Sequence, residues 1–303
     1  MLNLFNRKRS TRLFISVVIV AVLAGAGVVS YKINTQLNKE IYGTPRGEIE
    51  NRTPQDLGLP YEKIRYSTDN DKKIKGWFIP NDNSSSCIIL SPGKGSTKWN
   101  ILKYAPFLHQ DGYNVMLFDA RGRGESEGER WGFGYFQSRD IIHGIDFLQN
   151  EYGIEKFGLL GRSAGATASL VAATNEPEID AVVFDSGFAT IKMASMSYGD
   201  YQSNKLFQVL FPLYTFGARL SLGVNVNGKT NLVNNINNEE FAAFFIHGAG
   251  DEVILPKNSE VLYEKKTEEK QIWLPEGVKH VEAFDDYPEE YTTRVLDFFH
   301  SYL

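Results

Sequence analysis

The chain has 303 residues, 42% hydrophobic and 23% charged, enough to bury one large core and too few for several independent catalytic domains. Its formal net charge is -5; once Arg7, Lys8, Arg9 and Arg12 are set aside, 37 acidic side chains face 28 basic ones, which argues against nucleic acid as a partner. The single cysteine, Cys87, excludes an intramolecular disulfide and reads as a small buried thiol on a strand.

The basic start leads into Leu13 to Tyr31, "LFISVVIVAVLAGAGVVSY", 19 residues without a charge. At 1.5 Å per residue this makes about 28 Å of helix, close to the thickness of a bilayer's hydrocarbon layer. Residues 1–31 therefore read as a cytoplasmic basic end followed by a single-pass anchor, and the leading "RKRSTR" places the remainder on the extracytoplasmic side. The alternative is a signal peptide cleaved near Ala24-Gly25-Ala26, which would leave a secreted protein; Val28 and Val29 carry the apolar run past that point and favour the anchor. Residues 32–60 are polar, rich in turn formers, and read as a tether.

From Tyr61 to Leu303 strands and helices alternate. "EKIRYSTDNDKKIKGWFIP" predicts a hairpin turning at Asp69-Asn70-Asp71, and "CIILSPG" a buried strand. A helical segment follows in "TKWNILKYAPFLHQ", which Pro106 should kink or shorten. Strand "YNVMLFDA", helix "GYFQSRDIIHGIDFLQNEYG", strand "KFGLLG", helix "SAGATASLVAATN" and strand "AVVFD" come next. After residues 187–240 come strand "AAFFIHG", a helix near Lys257 to Lys266, strand "QIWLP" and a closing helix. Such alternation predicts an α/β fold: a mostly parallel sheet with helices on both faces.

Between one strand and the next helix stands "GRSAG", residues 161 to 165. A serine in G-x-S-x-G at a strand-to-helix corner is the setting of a nucleophile elbow: small neighbours permit the sharp turn, and the helix N-terminus favours developing negative charge. Ser163 is the candidate nucleophile, and it needs a base and a group to orient that base. His109 and His143 lie in amphipathic helices, His300 in the last helix, and His247 at the end of an apolar strand. His280 alone occupies a polar loop between the last strand and the last helix, where it can reach the serine. For the acid, Asp251 follows the "AAFFIHG" strand and gives the chain order Ser, Asp, His; Asp185, at the end of the preceding strand, competes for the role. Asp119 and the "DARGRGESEG" loop read as structural, Glu252 as solvated, and Arg162 as either loop packing or a substrate neighbour.

In order, "SPGKGS", "FDARGRGESEGE", "GRSAG", "HGAGDEVI" and "VKH" resemble the serine hydrolases of the α/β-hydrolase superfamily, in particular a bacterial-type branch with an N-terminal membrane anchor. The resemblance covers residues 61–303. It implies an eight-stranded sheet whose first strands are antiparallel, and a triad of Ser163, Asp251 and His280. It also implies an oxyanion hole from the backbone N–H groups of Ala164 and Lys94, each donor contributing about 3 kcal/mol. Here Pro92-Gly93 stands where many relatives carry His-Gly.

Residues 187–240 are rich in Met, Phe, Tyr and Leu at helical spacing and read as a helical lid, forming either an apolar pocket over the serine or a helix pair packed on the core. The expected activity is hydrolysis of carboxylic esters or thioesters through an acyl-enzyme, the substrate being a small ester or acyl compound. A short-peptide serine peptidase is the alternative, and a non-catalytic binding protein the reading from another class. No metal or organic cofactor is expected, since the sequence carries no Cys/His ligand cluster, Walker sequence or dinucleotide fingerprint.

Overall fold

A computed structural model describes residues 2–43, 46–47, 52–82, 84–197, 205–237 and 240–303. Eight strands form one sheet: β1 (Glu62–Ser67), β2 (Lys73–Ile79), β3 (Ser86–Ser91), β4 (Asn114–Phe118), β5 (Lys156–Arg162), β6 (Ile179–Asp185), β7 (Ala242–Ile246) and β8 (Lys270–Trp273), in the order β1-β2-β4-β3-β5-β6-β7-β8. The antiparallel start comes from β2, which runs against both β1 and β4; every later pairing is parallel. Alternate residues of one strand feed separate cores: Cys87 and Ile89 belong to one, Ile88 and Leu90 to the other. That is why β3 reads as an unbroken apolar run, with Cys87 fully buried inside it.

The helices are α1 (Leu2–Tyr42), α2 (Ala105–Gln110), α3 (Tyr135–Tyr152), α4 (Ala164–Ala173), α5 (Ile191–Ser197), α6 (Lys205–Leu222), α7 (Val226–Lys229), α8 (Leu232–Asn235), α9 (Lys257–Lys265), α10 (Ala283–Asp286) and α11 (Pro288–Tyr302). One core packs α3 and α4 on the sheet through Ile141, Ile145 and Val171; the other packs α2 and α11 through Leu108, Phe298 and Phe299. Pro106 acts as expected: a 3-10 helix covers Lys98–Tyr104, and the α-helix begins only at Ala105, with the proline in its first turn. The hairpin turns at Asp69–Asp71, where Asn70 and Asp71 both take positive φ.

The expected tether needs correction. Residues 32–42 continue α1, and Leu37 and Ile41 are buried against α6, in a cluster with Phe211, Tyr214, Ala218 and Leu222. Ile33, Leu37 and Ile41 are spaced four apart and so fall on one side of the helix, which gives this polar-looking stretch an apolar edge. The described part of the insertion at 187–240 carries the helices α5, α6, α7 and α8 joined by short loops, and its buried face shares that cluster with Phe133, Ala164 and Ile254. It therefore caps the carboxyl edge of the sheet beside Ser163.

Candidate active site

Ser163 stands between β5 and α4, as the N-cap of the helix, with φ 51° and ψ -122°, a conformation costing about 1–3 kcal/mol in a non-glycine residue. The turn can close only around glycine. A Cβ on Gly165 would stand 2.1 Å from the Ser91 carbonyl oxygen, and one on Gly161 would stand 2.4 Å from that of Gly165. The Ser163 N–H donates to the Asp185 carbonyl at 2.8 Å, and the Ser163 carbonyl accepts from the N–H of Ala166 at 3.0 Å.

His280 lies in the loop after β8, with Nε2 3.0 Å from Ser163 Oγ and Nδ1 2.6 Å from Asp251 Oδ2. A carboxylate can only accept, so Nδ1 carries the proton and Nε2 is free to accept from the serine hydroxyl. The three side chains, distant in sequence, thus form one hydrogen-bonded series. Of the two candidate acids it is Asp251 that meets His280. Asp185 is fully buried, accepts from Ser186 Oγ at 2.9 Å and from the Tyr291 hydroxyl at 3.1 Å, and burial pushes its carboxyl up.

Asp251 is held from several sides. Its Oδ1 accepts the N–H groups of Val253 at 2.8 Å and Ile254 at 2.9 Å. His247, fully buried, places Nε2 2.7 Å from the Ile254 carbonyl and 3.2 Å from Asp251 Oδ2, while Ser259 Oγ lies 2.7 Å from its Nδ1. With an acceptor carbonyl at Nε2, that nitrogen carries the proton, and the serine hydroxyl donates to Nδ1. Burial works to raise the Asp251 carboxyl, but hydrogen bonds from His247 and His280 outweigh it and hold the group well below the usual carboxylate range. The sequence reading passed over His247 as a strand end; its position four residues before Asp251 was the available signal.

Arg162 resolves as loop packing. Its guanidinium donates from Nη1 to the Asn100 carbonyl at 3.3 Å and from Nη2 to the Val281 carbonyl at 3.2 Å. Val281, next to His280, has φ 58°, unusual for a β-branched residue, so Arg162 pins the backbone where the histidine loop is most constrained. Ala164 is the first residue of α4, and its N–H has no intrahelical acceptor. Lys94 follows Gly93, whose Cβ position would lie 3.5 Å from that of Ser163, so this loop runs directly against the serine. The Lys94 side chain turns away, its Nζ 2.5 Å from Glu40 of α1 and 4.3 Å from the centre of the Trp131 ring. Buried Gln137 fixes the same loop, donating to Ser91 Oγ at 3.0 Å and to the Pro92 carbonyl at 2.7 Å; nothing in its helical context marked it in the sequence.

The "DARGRGESEG" loop is structural, as expected, with a partner the sequence did not indicate. Asp119 accepts from the Lys98 N–H at 2.8 Å and from Lys98 Nζ at 2.6 Å, and Arg121 pairs with buried Asp140 at 2.6 Å. Glu252 is exposed. Among the described residues, no group of three or more His, Cys, Asp or Glu side chains is placed to hold a metal ion.

Comparison with known proteins bears on the fold and the family. The profile of the family described as serine aminopeptidase, S33, matches residues 82–227. The membrane protein YNL320W of Saccharomyces cerevisiae is 28% identical over 214 residues, 70% of each chain. The monoglyceride lipase of Mus musculus is 27% identical over 181 residues, 57% of this chain and 58% of its own. Among solved structures, the Pyrococcus furiosus esterase Pf2001 superposes with a TM-score of 0.70 at 25% identity, covering 85% of this chain and 99% of the esterase. With its eight-stranded sheet and helical cap, the chain belongs to the α/β-hydrolase superfamily and is an α/β hydrolase.

Proposed function

We propose that this protein is a membrane-anchored serine hydrolase that cleaves carboxylic esters or thioesters through an acyl-enzyme. The observation that carries the reading is the series Ser163 Oγ, His280, Asp251, with contacts of 3.0 Å and 2.6 Å. Ser163 Oγ attacks the acyl carbon while His280 Nε2 takes its proton, and Asp251 stabilises the imidazolium that forms. The N–H groups of Ala164 and Lys94 meet the oxyanion of the tetrahedral intermediate. His280 then passes the proton to the departing alcohol or thiol; water, deprotonated by the same ring, releases the carboxylic acid and restores the serine.

The same catalytic series serves a peptidase, and the matched S33 description makes that the second reading. A peptide amine would need a carboxylate to grip it. Near the site Glu40 is paired with Lys94, Asp185 with Tyr291 and Ser186, and Asp251 with two histidines, which favours the ester reading. A panel of p-nitrophenyl esters against aminoacyl-nitroanilides separates the two. Labelling of wild type but not Ser163→Ala by a fluorophosphonate tests the nucleophile and excludes a non-catalytic binding protein.

Anchoring is supported by α1, one unbroken helix long and apolar enough to cross a membrane, with Ile15, Val17, Ile19 and Val20 half exposed or more. The basic residues before it favour a catalytic body on the extracytoplasmic side. Glycosylation-independent protease protection in sealed cells or vesicles checks that orientation.

A further inference from the structure

We infer that the outer face of α6 lies in the interfacial layer of the bilayer, beside α1. This rests on the anchor reading and extends membrane contact from one helix to the cap.

Helix α6 is apolar on two opposite sides. Phe211, Tyr214, Ala218 and Leu222 turn inward and are buried. Val209, Leu213, Phe216 and Leu220 fall within about 60° of one another at 100° per residue and point outward; their exposures are 73%, 53%, 58% and 70%. Isolated exposed apolar residues are ordinary, but four large ones in one stripe mark a surface built to be covered.

Position identifies the cover. A Cβ on Gly217 of α6 would stand 2.7 Å from Leu37 Cδ1 and 3.9 Å from Ile33 Cγ2, so α6 packs on α1 at that level. The uncharged run of α1 ends at Tyr31. Ile33 is therefore about 3 Å of helical rise beyond the edge of the hydrocarbon layer. A helix packed there sits at headgroup depth, where amphipathic helices bury their apolar side about 5–10 Å deep. Charge agrees with this depth: α6 contains no acidic residue, and exposed Arg219 flanks the stripe, suited to lipid phosphates. Apolar stripe, proximity to the end of the membrane span and basic flank all fit a lipid surface.

The test uses the full chain with single introduced cysteines carrying the fluorophore NBD. Buried Cys87, whose thiol burial pushes up, stays unlabelled. The labelled positions are Leu213→Cys and Leu220→Cys on α6, Val18→Cys in α1, and Glu268→Cys in the loop entering β8, all reconstituted in phosphatidylcholine–phosphatidylglycerol vesicles. At 213 and 220 emission should shift to the blue, be quenched by lipids bearing a nitroxide near the headgroup, and resist aqueous iodide; at 268 the reverse should hold. Quenching at 18 without quenching at 213 and 220 would overturn the α6 assignment and leave the anchor standing. Loss of quenching at all three would remove both. Iodide resistance at 213 and 220 that rises with protein density and ignores nitroxide lipids would overturn it in favour of a second copy of the chain.

Discussion

Replacing His247 by leucine should separate the support of the acid from the acid itself. His247 is fully buried, and leucine would fill much of its volume while removing both ring nitrogens. The Ile254 carbonyl and the Ser259 hydroxyl would each lose a 2.7 Å partner. Stranded buried polar groups cost about 1–3 kcal/mol apiece, so the fold should lose about 3 kcal/mol in total, measurable by urea denaturation. The kinetic cost follows from Asp251, which would keep His280 and two backbone donors but lose the imidazole 3.2 Å from Oδ2. A hydrogen bond to a charged group contributes about 1.5–3 kcal/mol; at this length the lower end applies, equivalent to about tenfold in kcat/KM. The assay is p-nitrophenyl butyrate hydrolysis well below the unfolding temperature, with His247→Gln, which can retain a side-chain N–H donor, recovering part of the loss. Wild-type kcat/KM in a destabilised His247→Leu protein would refute the reasoning, because the histidine would then serve the fold without steadying the carboxylate.

Asp251→Asn should lower kcat on the same ester by about 10⁴ by reversing the hydrogen-bond requirement at His280 Nδ1, whereas Asp185→Asn should retain most of kcat; the opposite ranking in steady-state kinetics would reassign the acid. Arg162→Met should cut kcat/KM about tenfold by freeing the Val281 carbonyl and the histidine loop, with the loss lying mainly in kcat if the residue positions the base and does not touch substrate. Asp69 offers a pH test. Burial works to raise its carboxyl, but hydrogen bonds from His143 and Arg139 bring it down from 3.8 to about 2. A lowered acid stabilises the fold above its unfolded value and loses that contribution as pH falls through the folded one. Asp69→Asn should therefore cost about 1 kcal/mol at pH 7, after discounting for solvent screening, and the two unfolding curves should converge between about pH 4 and pH 2.

The strand and helix order was legible because buried parallel strands leave continuous apolar runs and the covering helices leave periodic ones. Ser163 was legible because its strain demands small neighbours in a short local pattern, visible as Gly161, Ala164 and Gly165. His280 and Asp251 followed from their loops at one edge of the sheet. What stayed hidden depends on contacts across the fold: Gln137 meets the β3 loop, Arg162 meets Val281, and Lys98 meets Asp119, each from a distant part of the chain. The helical stretch after Lys32 was a different miss. Its polar residues masked Ile33, Leu37 and Ile41, whose spacing already described a helix edge awaiting a partner.

With α1 embedded as proposed, its grip on the cap denies the catalytic body a swivel. A flexible stalk would let the enzyme roam a hemisphere of solvent; a stiff rod clamped at Leu37 and Ile41 fixes which way Ser163 faces. Encounters are then governed by sideways drift within a plane, and a reactant travelling in that same plane meets the serine far more often than an equally abundant one dissolved above it.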